Sequence, residues 1–249
     1  MSLVYSEDDR MLADTAEEFL STKSPVSAQR ALRDGKSDLN FDAAIWQQMT
    51  ELGWSAITFP EKLGGLEFGY RGLGAFMAQG FLEAGAKRVY ITGRKADACL
   101  AAAEELSQYG ECIALPGDAS TTEGLVKLVQ QLTEREEYLD VLVNNAGTAW
   151  AAPFGQVPEK GWDKVMDLNV KSPFFLTQAL TPMLTKNATA KNTTSVINIG
   201  SIAGILGNAL DTFSYAISKS AIHQATRIMA NDLAASHVRV NAIAPGRFY

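Results

Sequence analysis

A tyrosine and a lysine four residues apart carry the clearest chemical signal in this chain of 249 residues. In an α-helix, residues i and i+4 lie on one face, so the Tyr215 phenol and the Lys219 ammonium can point into one cleft. The cation favours the phenolate, which makes Tyr215 a usable proton donor or acceptor near neutral pH. Taken alone, Tyr-x-x-x-Lys is also a common pair on a helix surface. Ser201, which directly follows an apolar run, is the third candidate.

Strand-like and helix-like segments that must position these side chains alternate from residue 69 onward. The strand-like runs are rich in Val, Ile and Leu and cover residues 88–92, 112–115, 140–144, 195–200 and 238–243. Helical periodicity covers residues 72–84, 96–109, 122–136, 161–184 and 212–235. Regular alternation predicts a parallel sheet with helices on both faces. The predicted fold class is therefore α/β, a doubly wound parallel Rossmann-type sheet preceded by a small helical segment.

Three further motifs follow the same order of elements. Asn144-Asn145-Ala146-Gly147 ends a strand, Asn169 lies midway along the next helix, and Pro245-Gly246 follows the last strand. Together with the serine, tyrosine and lysine, this set resembles the short-chain dehydrogenase/reductase family over residues 69–245. The stretches that begin at Ser201 and Asn241 resemble its 3-oxoacyl-(acyl carrier protein) reductase branch.

The resemblance implies hydride transfer between a nicotinamide cofactor and a carbonyl or alcohol, with Asn169, Ser201, Tyr215 and Lys219 as the catalytic set. Tyr215 would give its proton to the carbonyl oxygen, and Ser201 would hydrogen-bond that oxygen. Lys219 would hold the ribose hydroxyls, and Asn169 would anchor a water relay. Considered individually, Ser201 could instead be a cap at the end of a strand, and Asn169 could be an ordinary polar residue of a helix. No metal site is expected.

The resemblance also implies a cofactor, NADP in its reduced form NADPH. Thr92-Gly93-Arg94-Lys95 places two cations where an acid would pair with the ribose of NAD, although solvated charges at a helix start are the alternative. Arg71 is implied to contact the extra phosphate, and Asp118 the adenine. The full set of implied cofactor contacts is Gly69, Arg71, Gly72, Leu73, Gly74, Arg94, Asp118, Ala119, Asn145, Ala146, Gly147, Tyr215, Lys219, Pro245 and Gly246.

The glycine loop departs from the family pattern. Members open with a strand and then Thr-Gly-x-x-x-Gly-x-Gly, whose glycines let backbone N–H groups approach the pyrophosphate. Gly72 and Gly74 are present, but Glu67 and Phe68 replace the leading Thr and Gly, and a carboxylate there would repel a pyrophosphate. The strand before the loop is missing as well. We expect residues 55–59, Ser-Ala-Ile-Thr-Phe, to insert into its place in the sheet.

Residues 5–70 resemble the N-terminal helical domain of acyl-CoA dehydrogenases. Helices are predicted over residues 6–20 and 43–52, and residues 51–66 carry the resemblance. In that flavin family the catalytic carboxylate and most flavin contacts come from later domains, which have no counterpart here. The chain is therefore interpreted as a chimera. Its parts are a helical segment over residues 1–68 and a short-chain dehydrogenase-type dinucleotide-binding domain over residues 69–249, expected to lack its own first strand and its C-terminal end.

The composition of the chain limits the kinds of binding partner that are expected. With 47% apolar and 20% charged residues, the chain has the balance of a soluble globular protein. A net charge of −6 without a basic cluster argues against nucleic acid, and no uncharged apolar run reaches membrane-spanning length. A cytoplasmic protein acting on a small carbonyl or acyl substrate is expected. Both a monomer and a homo-oligomer stay open.

Three functional hypotheses follow. The first is an NADPH-dependent reductase, or alcohol dehydrogenase, acting on a 3-oxoacyl-type carbonyl. The second is a chimera with impaired or no turnover, because its phosphate loop and C-terminal lid are incomplete. The third is a fragment of a flavin-dependent acyl-CoA dehydrogenase, which rests only on the N-terminal segment.

Overall fold

The predicted alternation of strands and helices is present in the computed structural model of the chain. The structure describes residues 18–19, 22–23, 44–45, 47–48, 73–206 and 211–246. The chain forms two units, residues 1–70 with Tyr249, and residues 71–248. The described residues of the first unit are all helical, and residues 18–19, 44–45 and 47–48 fall within the two helices predicted there. The strand predicted over residues 55–59 lies outside the described residues, so that prediction is untested.

The described residues of the second unit form six α-helices, five strands and one π-helical turn, besides short 3₁₀ turns. In chain order they are α1 (Leu73–Glu83), β1 (Arg88–Ile91), α2 (Ala96–Leu106), β2 (Glu111–Ala114), α3 (Thr122–Thr133), β3 (Val141–Asn144), α4 (Glu159–Met166), the π turn (Asp167–Lys171), α5 (Ser172–Lys186), β4 (Thr194–Ile199), α6 (Phe213–Leu233) and β5 (Val238–Ile243). All five predicted strands are found, with ends within one residue of the prediction. The single helix predicted over residues 161–184 is instead α4, the π turn and α5 in succession.

The strands form two parallel groups, β1–β2 and β3–β4–β5. Within residues 73–206 and 211–246, no strand pairs with the free edge of β1 or of β3. Among the described residues, pairing is interrupted between β1 and β3, where the family's first strand is expected to lie, and residues 55–59, which are predicted to fill that position, lie outside the described residues. None of the described helices is both long enough and apolar enough to cross a membrane.

Side chains join the two strand groups even though their backbones do not pair. The main core packs Leu142 of β3, Val196 of β4 and Leu184 of α5, and Tyr90 of β1 packs against it. The Tyr90 hydroxyl also donates to Glu136, just before β3, at 2.9 Å. Arg88 of β1 pairs with the same carboxylate. Apolar burial and this ion pair therefore hold β1 beside the β3 group.

A buried polar network fixes β3 and β4 relative to the helices on either side. Asn144 and Asn198 are register partners, and Asn144 Nδ2 donates to Asn198 Oδ1 at 2.8 Å. Asn144 also donates to Thr177 of α5 at 3.1 Å, and Asn198 donates to Thr226 of α6 at 2.9 Å. Since the Asn198 side chain is fully buried, each of these groups depends on its protein partner.

Asn198→Ala is expected to lower the free energy of unfolding by about 1 to 3 kcal/mol. The substitution removes a hydrogen-bond partner of the Asn144 amide and one of the Thr226 hydroxyl. Urea unfolding measures the change. Gln108→Ala, at an exposed site on the surface, serves as the control and should shift stability by less than about 0.5 kcal/mol. Equal effects of the two substitutions would contradict the role given to the network.

Candidate functional site

The carboxyl ends of β3, β4 and β5 meet at one edge, where ligands bind in open α/β sheets. β3 leads into Asn145-Ala146-Gly147, β4 into Gly200-Ser201, and β5 into Pro245-Gly246. Gly200 donates its amide to the Ile243 carbonyl at 2.7 Å, and Ile202 donates to the Pro245 carbonyl at 3.0 Å. The chain segments that follow β4 and β5 are therefore held side by side beyond the sheet.

Asn169 lies in the π turn, and its side chain is almost fully buried at 2% exposure. Its Oδ1 accepts from the Thr148 amide at 2.8 Å, while Nδ2 donates to the Thr148 carbonyl and to Ser218 Oγ, both at 2.9 Å. Single π turns inside helices occur frequently at functional sites. Here the π turn directs the side-chain amide of Asn169 toward both the loop after β3 and helix α6.

Lys219 lies beside the same loop. A Cβ placed on Gly147 would be 3.4 Å from Asn169 Oδ1 and 3.6 Å from Lys219 Nζ, so both polar atoms line the Gly147 backbone. The Lys219 ammonium donates to the Ile199 carbonyl at 2.6 Å and lies 5.6 Å from the centre of the Tyr215 ring. Only 5% of Lys219 is exposed, and this burial lowers the pKa of its ammonium to about 8.

Ser201 starts the short 3₁₀ turn Ile202–Gly204, where its Oγ accepts from the Ala203 amide at 3.1 Å. The serine does act as the cap that sequence reasoning left open as an alternative. A hydroxyl nevertheless both donates and accepts, and within the described part of the chain the O–H of Ser201 has no acceptor. Its proton is free to meet a substrate oxygen.

The cofactor side of the site is described from residue 73. Leu73 opens α1, and a Cβ on Gly74 would lie 2.8 Å from Asn145 Nδ2. A side chain at this position would have to displace the Asn145 amide, so the start of α1 lies close to the loop after β3. Gly69, Arg71 and Gly72, which were predicted to bind the cofactor, lie outside the described residues.

Asp118 and Arg94 follow β2 and β1. Hydrogen bonds from the Ser120 hydroxyl and amide, at 2.7 and 3.0 Å, and then the charge of Arg94 hold the pKa of Asp118 below its ordinary value. Ala119 beside it is buried, whereas Arg94 is exposed. An exposed guanidinium next to a carboxylate at this strand edge can bind an anionic group on a ligand.

Sequence reasoning missed the partners that hold the candidate residues in place. Thr148 and Ser218 bind Asn169, and His223 contacts Ser201. Helix periodicity offered one usable signal, because His223 is four residues beyond Lys219 and therefore lies on the face that carries Tyr215 and Lys219. No comparable signal identifies Thr148, whose contact with Asn169 spans 21 residues.

An apolar groove among the described residues of this unit is lined by other side chains. It encloses about 310 Å³ and is lined by Phe154, Val157, Glu159, Trp162, Phe213 and Ile217. Phe213 and Ile217 lie on the opposite side of α6 from Tyr215, since two residues turn a helix by about 200°. Among the described residues, no three His, Cys, Asp or Glu side chains gather as a metal site.

Comparison with known proteins assigns both parts of the chain. The short chain dehydrogenase family model matches residues 69–249, and the model of the acyl-CoA dehydrogenase N-terminal domain matches residues 6–81. A rhamnolipids biosynthesis 3-oxoacyl-[acyl-carrier-protein] reductase of Pseudomonas aeruginosa is 50% identical over 180 residues, 72% of this chain and 70% of that protein. The 2-dehydro-3-deoxy-D-gluconate 5-dehydrogenase of Dickeya dadantii is 36% identical over 70% of this chain and 67% of its own length.

Solved structures agree with the family match. The NADP active-site complex of RhlG from Pseudomonas aeruginosa has a TM-score of 0.70 and 49% identity, covering 72% of this chain and 70% of that chain. The NADH-dependent reductase A1-R′ in complex with NAD has a TM-score of 0.66 and 30% identity, covering 71% of this chain and 75% of that chain. With its parallel strands, its covering helices and this family match, the chain belongs to the short-chain dehydrogenase family.

Proposed function

We propose that the chain is an NADPH-dependent reductase of a 3-oxoacyl-type carbonyl. One observation carries the proposal: Asn169 Oδ1 and Lys219 Nζ both line the backbone of Gly147, with the Tyr215 ring 5.6 Å from that ammonium. The nearness of the Tyr215 phenol, a buried cation and a fixed amide at one edge of the sheet supports this proposal. Membership of the family establishes that the chain is of the oxidoreductase class. The choice of NADPH and of a 3-oxoacyl substrate is what we propose.

The residues of the chain act on the substrate oxygen. The free O–H of Ser201 donates to the carbonyl and orients it, and the Tyr215 phenol gives up the proton that completes the alcohol. The Lys219 cation stabilises the phenolate left behind. Asn169 ties the loop after β3 to α6 through Thr148 and Ser218, and so fixes the distance between the two walls of the site.

The described residues fit a dinucleotide. The Lys219 ammonium has three donors, and within the described residues its hydrogen bonding is limited to the Ile199 carbonyl, which leaves N–H groups for ribose hydroxyls. Gly74 supplies the bare backbone at the start of α1, Asp118 suits the adenine, and Arg94 suits a ribose phosphate. When bound, NADPH supplies the hydride.

A 3-oxoacyl thioester is proposed as substrate because the relative with 50% identity is a 3-oxoacyl-[acyl-carrier-protein] reductase. A relative with 36% identity is a 2-dehydro-3-deoxy-D-gluconate 5-dehydrogenase, and the 5-keto product of that dehydrogenation provides the contrasting substrate for reduction. Calorimetric titration of the full chain with NADPH, followed by assay of NADPH oxidation with each substrate, tests the proposal. No binding of NADPH would reject it, and would favour the chimera without turnover.

Arg94→Asp is expected to weaken NADPH binding by roughly tenfold or more while leaving NADH binding nearly unchanged, because it replaces the phosphate partner with a like charge. Titration of both cofactors measures the ratio of dissociation constants. Arg135→Asp, at an exposed site beyond α3, controls for the change in net charge. Equal affinities for the two cofactors in the parent chain would contradict the role of Arg94.

A further inference from the structure

The imidazole of His223 occupies the space where a side chain on Gly200 would be. A Cβ on Gly200 would lie 2.3 Å from His223 Cε1 and 2.7 Å from its Nε2, distances that non-bonded atoms do not adopt. Gly200 is the residue between β4 and Ser201. The ring therefore packs on bare backbone directly before the serine.

His223 also binds the main chain of Ser201. Its Nε2 lies 3.1 Å from the Ser201 carbonyl oxygen and 3.5 Å from the Ser201 amide nitrogen. In the tautomer without a proton on Nε2, this nitrogen accepts from the Ser201 amide; in the other tautomer its N–H donates to the Ser201 carbonyl, which is the shorter contact. The same carbonyl accepts from the Gly204 amide at 3.0 Å, which closes the turn after the serine.

Helix α6 supports this turn at several successive positions. Lys219 binds the Ile199 carbonyl at 2.6 Å, and Ser220 Oγ donates to the Gly204 carbonyl at 2.6 Å. His223 supplies the contact between these two, at Ser201 itself. His223, on the face of α6 that carries Tyr215 and Lys219, therefore contacts the main chain of the serine whose hydroxyl is proposed to bind the substrate oxygen.

We propose that His223 is a positioning residue for Ser201: its imidazole, packed on Gly200 and bonded to the Ser201 carbonyl, fixes the main chain that aims the serine hydroxyl. The inference rests on the proposed function, since the hydroxyl matters only where a substrate carbonyl group is reduced. Misplacing a reacting group by about 1 Å can cost about a hundredfold in rate, so loss of this contact should reduce turnover.

Two substitutions separate positioning from general packing. His223→Leu removes the N–H and is expected to lower kcat roughly tenfold, with KM for NADPH nearly unchanged. His223→Gln keeps an N–H donor and should retain most of the activity. Gln224→Leu, at the exposed neighbouring position, is the matched control and should not change kcat.

A double-mutant cycle shows whether His223 acts through the serine. In a Ser201→Ala background no hydroxyl is left to position, so His223→Leu should have little further effect on the residual rate. An equal fold-loss in the parent and in the Ser201→Ala background would overturn the proposal. Gly200→Ala, whose methyl group displaces the ring, should reproduce the loss caused by His223→Leu.

Hydrogen exchange of the cofactor-free chain tests the contact without any turnover. Amides of residues 200–206 should exchange faster in His223→Leu than in the Gln224→Leu control, while residues 238–243 keep their rates. Unchanged exchange over residues 200–206 would overturn the proposal. Faster exchange in a chain that lacks turnover would instead reject the proposed function while supporting the contact between His223 and Ser201.

Discussion

Tyr215→Phe is expected to lower the rate of carbonyl reduction by about 10²- to 10⁴-fold, the usual contribution of a positioned general acid. The substitution removes one oxygen and leaves the ring, which lies 5.6 Å from the Lys219 ammonium, in place. The carbonyl carbon must then take up hydride while no phenol is present to give the carbonyl oxygen its proton. NADPH affinity should stay nearly unchanged, because the phenol acts on the substrate. Steady-state kinetics and calorimetric titration measure the two quantities separately.

A second tyrosine provides the control for this change. Tyr138 is 43% exposed and lies between α3 and β3, away from the sheet edge where the candidate residues meet. Tyr138→Phe should leave both the rate and NADPH affinity as they are. Turnover of Tyr215→Phe close to that of the parent would remove the acid role from Tyr215, whichever cofactor is used.

The order of elements could be predicted because each strand carries its own signal. Runs such as residues 238–243 are rich in β-branched residues, which favour strands. The sequence also predicted that Tyr215 and Lys219 lie on one face, because residues four positions apart in an α-helix always lie on the same side of it. The burial of Lys219, which lowers its pKa to about 8, depends on tertiary packing and cannot be predicted from this spacing.

Asn169 shows where local pattern stops being informative. Its neighbours read as part of one long helix, but the backbone forms a π turn from Asp167 to Lys171, which rotates the side chains that follow. The amide reaches Ser218, 49 residues away, and no periodicity within one segment records such a contact. The pairing of strands is equally non-local, since it is decided by segments that are distant along the chain.

Lys219→Met is expected to change how stability depends on pH. Burial lowers the pKa of the native ammonium from 10.5 to about 8, so between these pH values the unfolded chain binds a proton that the native chain has released. The free energy of unfolding therefore rises with pH across this interval, by about 1.4 kcal/mol per pH unit and about 3 kcal/mol in all. Below pH 8 the native ammonium is charged, and its burial lowers the free energy of unfolding by this full amount.

Urea unfolding of the cofactor-free chain from pH 7 to 10.5 measures this contribution as a difference between parent and variant, because other groups titrate in the same range. The parent should gain stability relative to Lys219→Met as pH rises. Lys171→Met, whose side chain is 51% exposed, should show no such trend. A constant difference between the parent and Lys219→Met would mean that Lys219 titrates alike in both states. Near neutral pH the ammonium is mostly charged, so the chain carries an unfavourable buried cation under the conditions in which Tyr215 needs it.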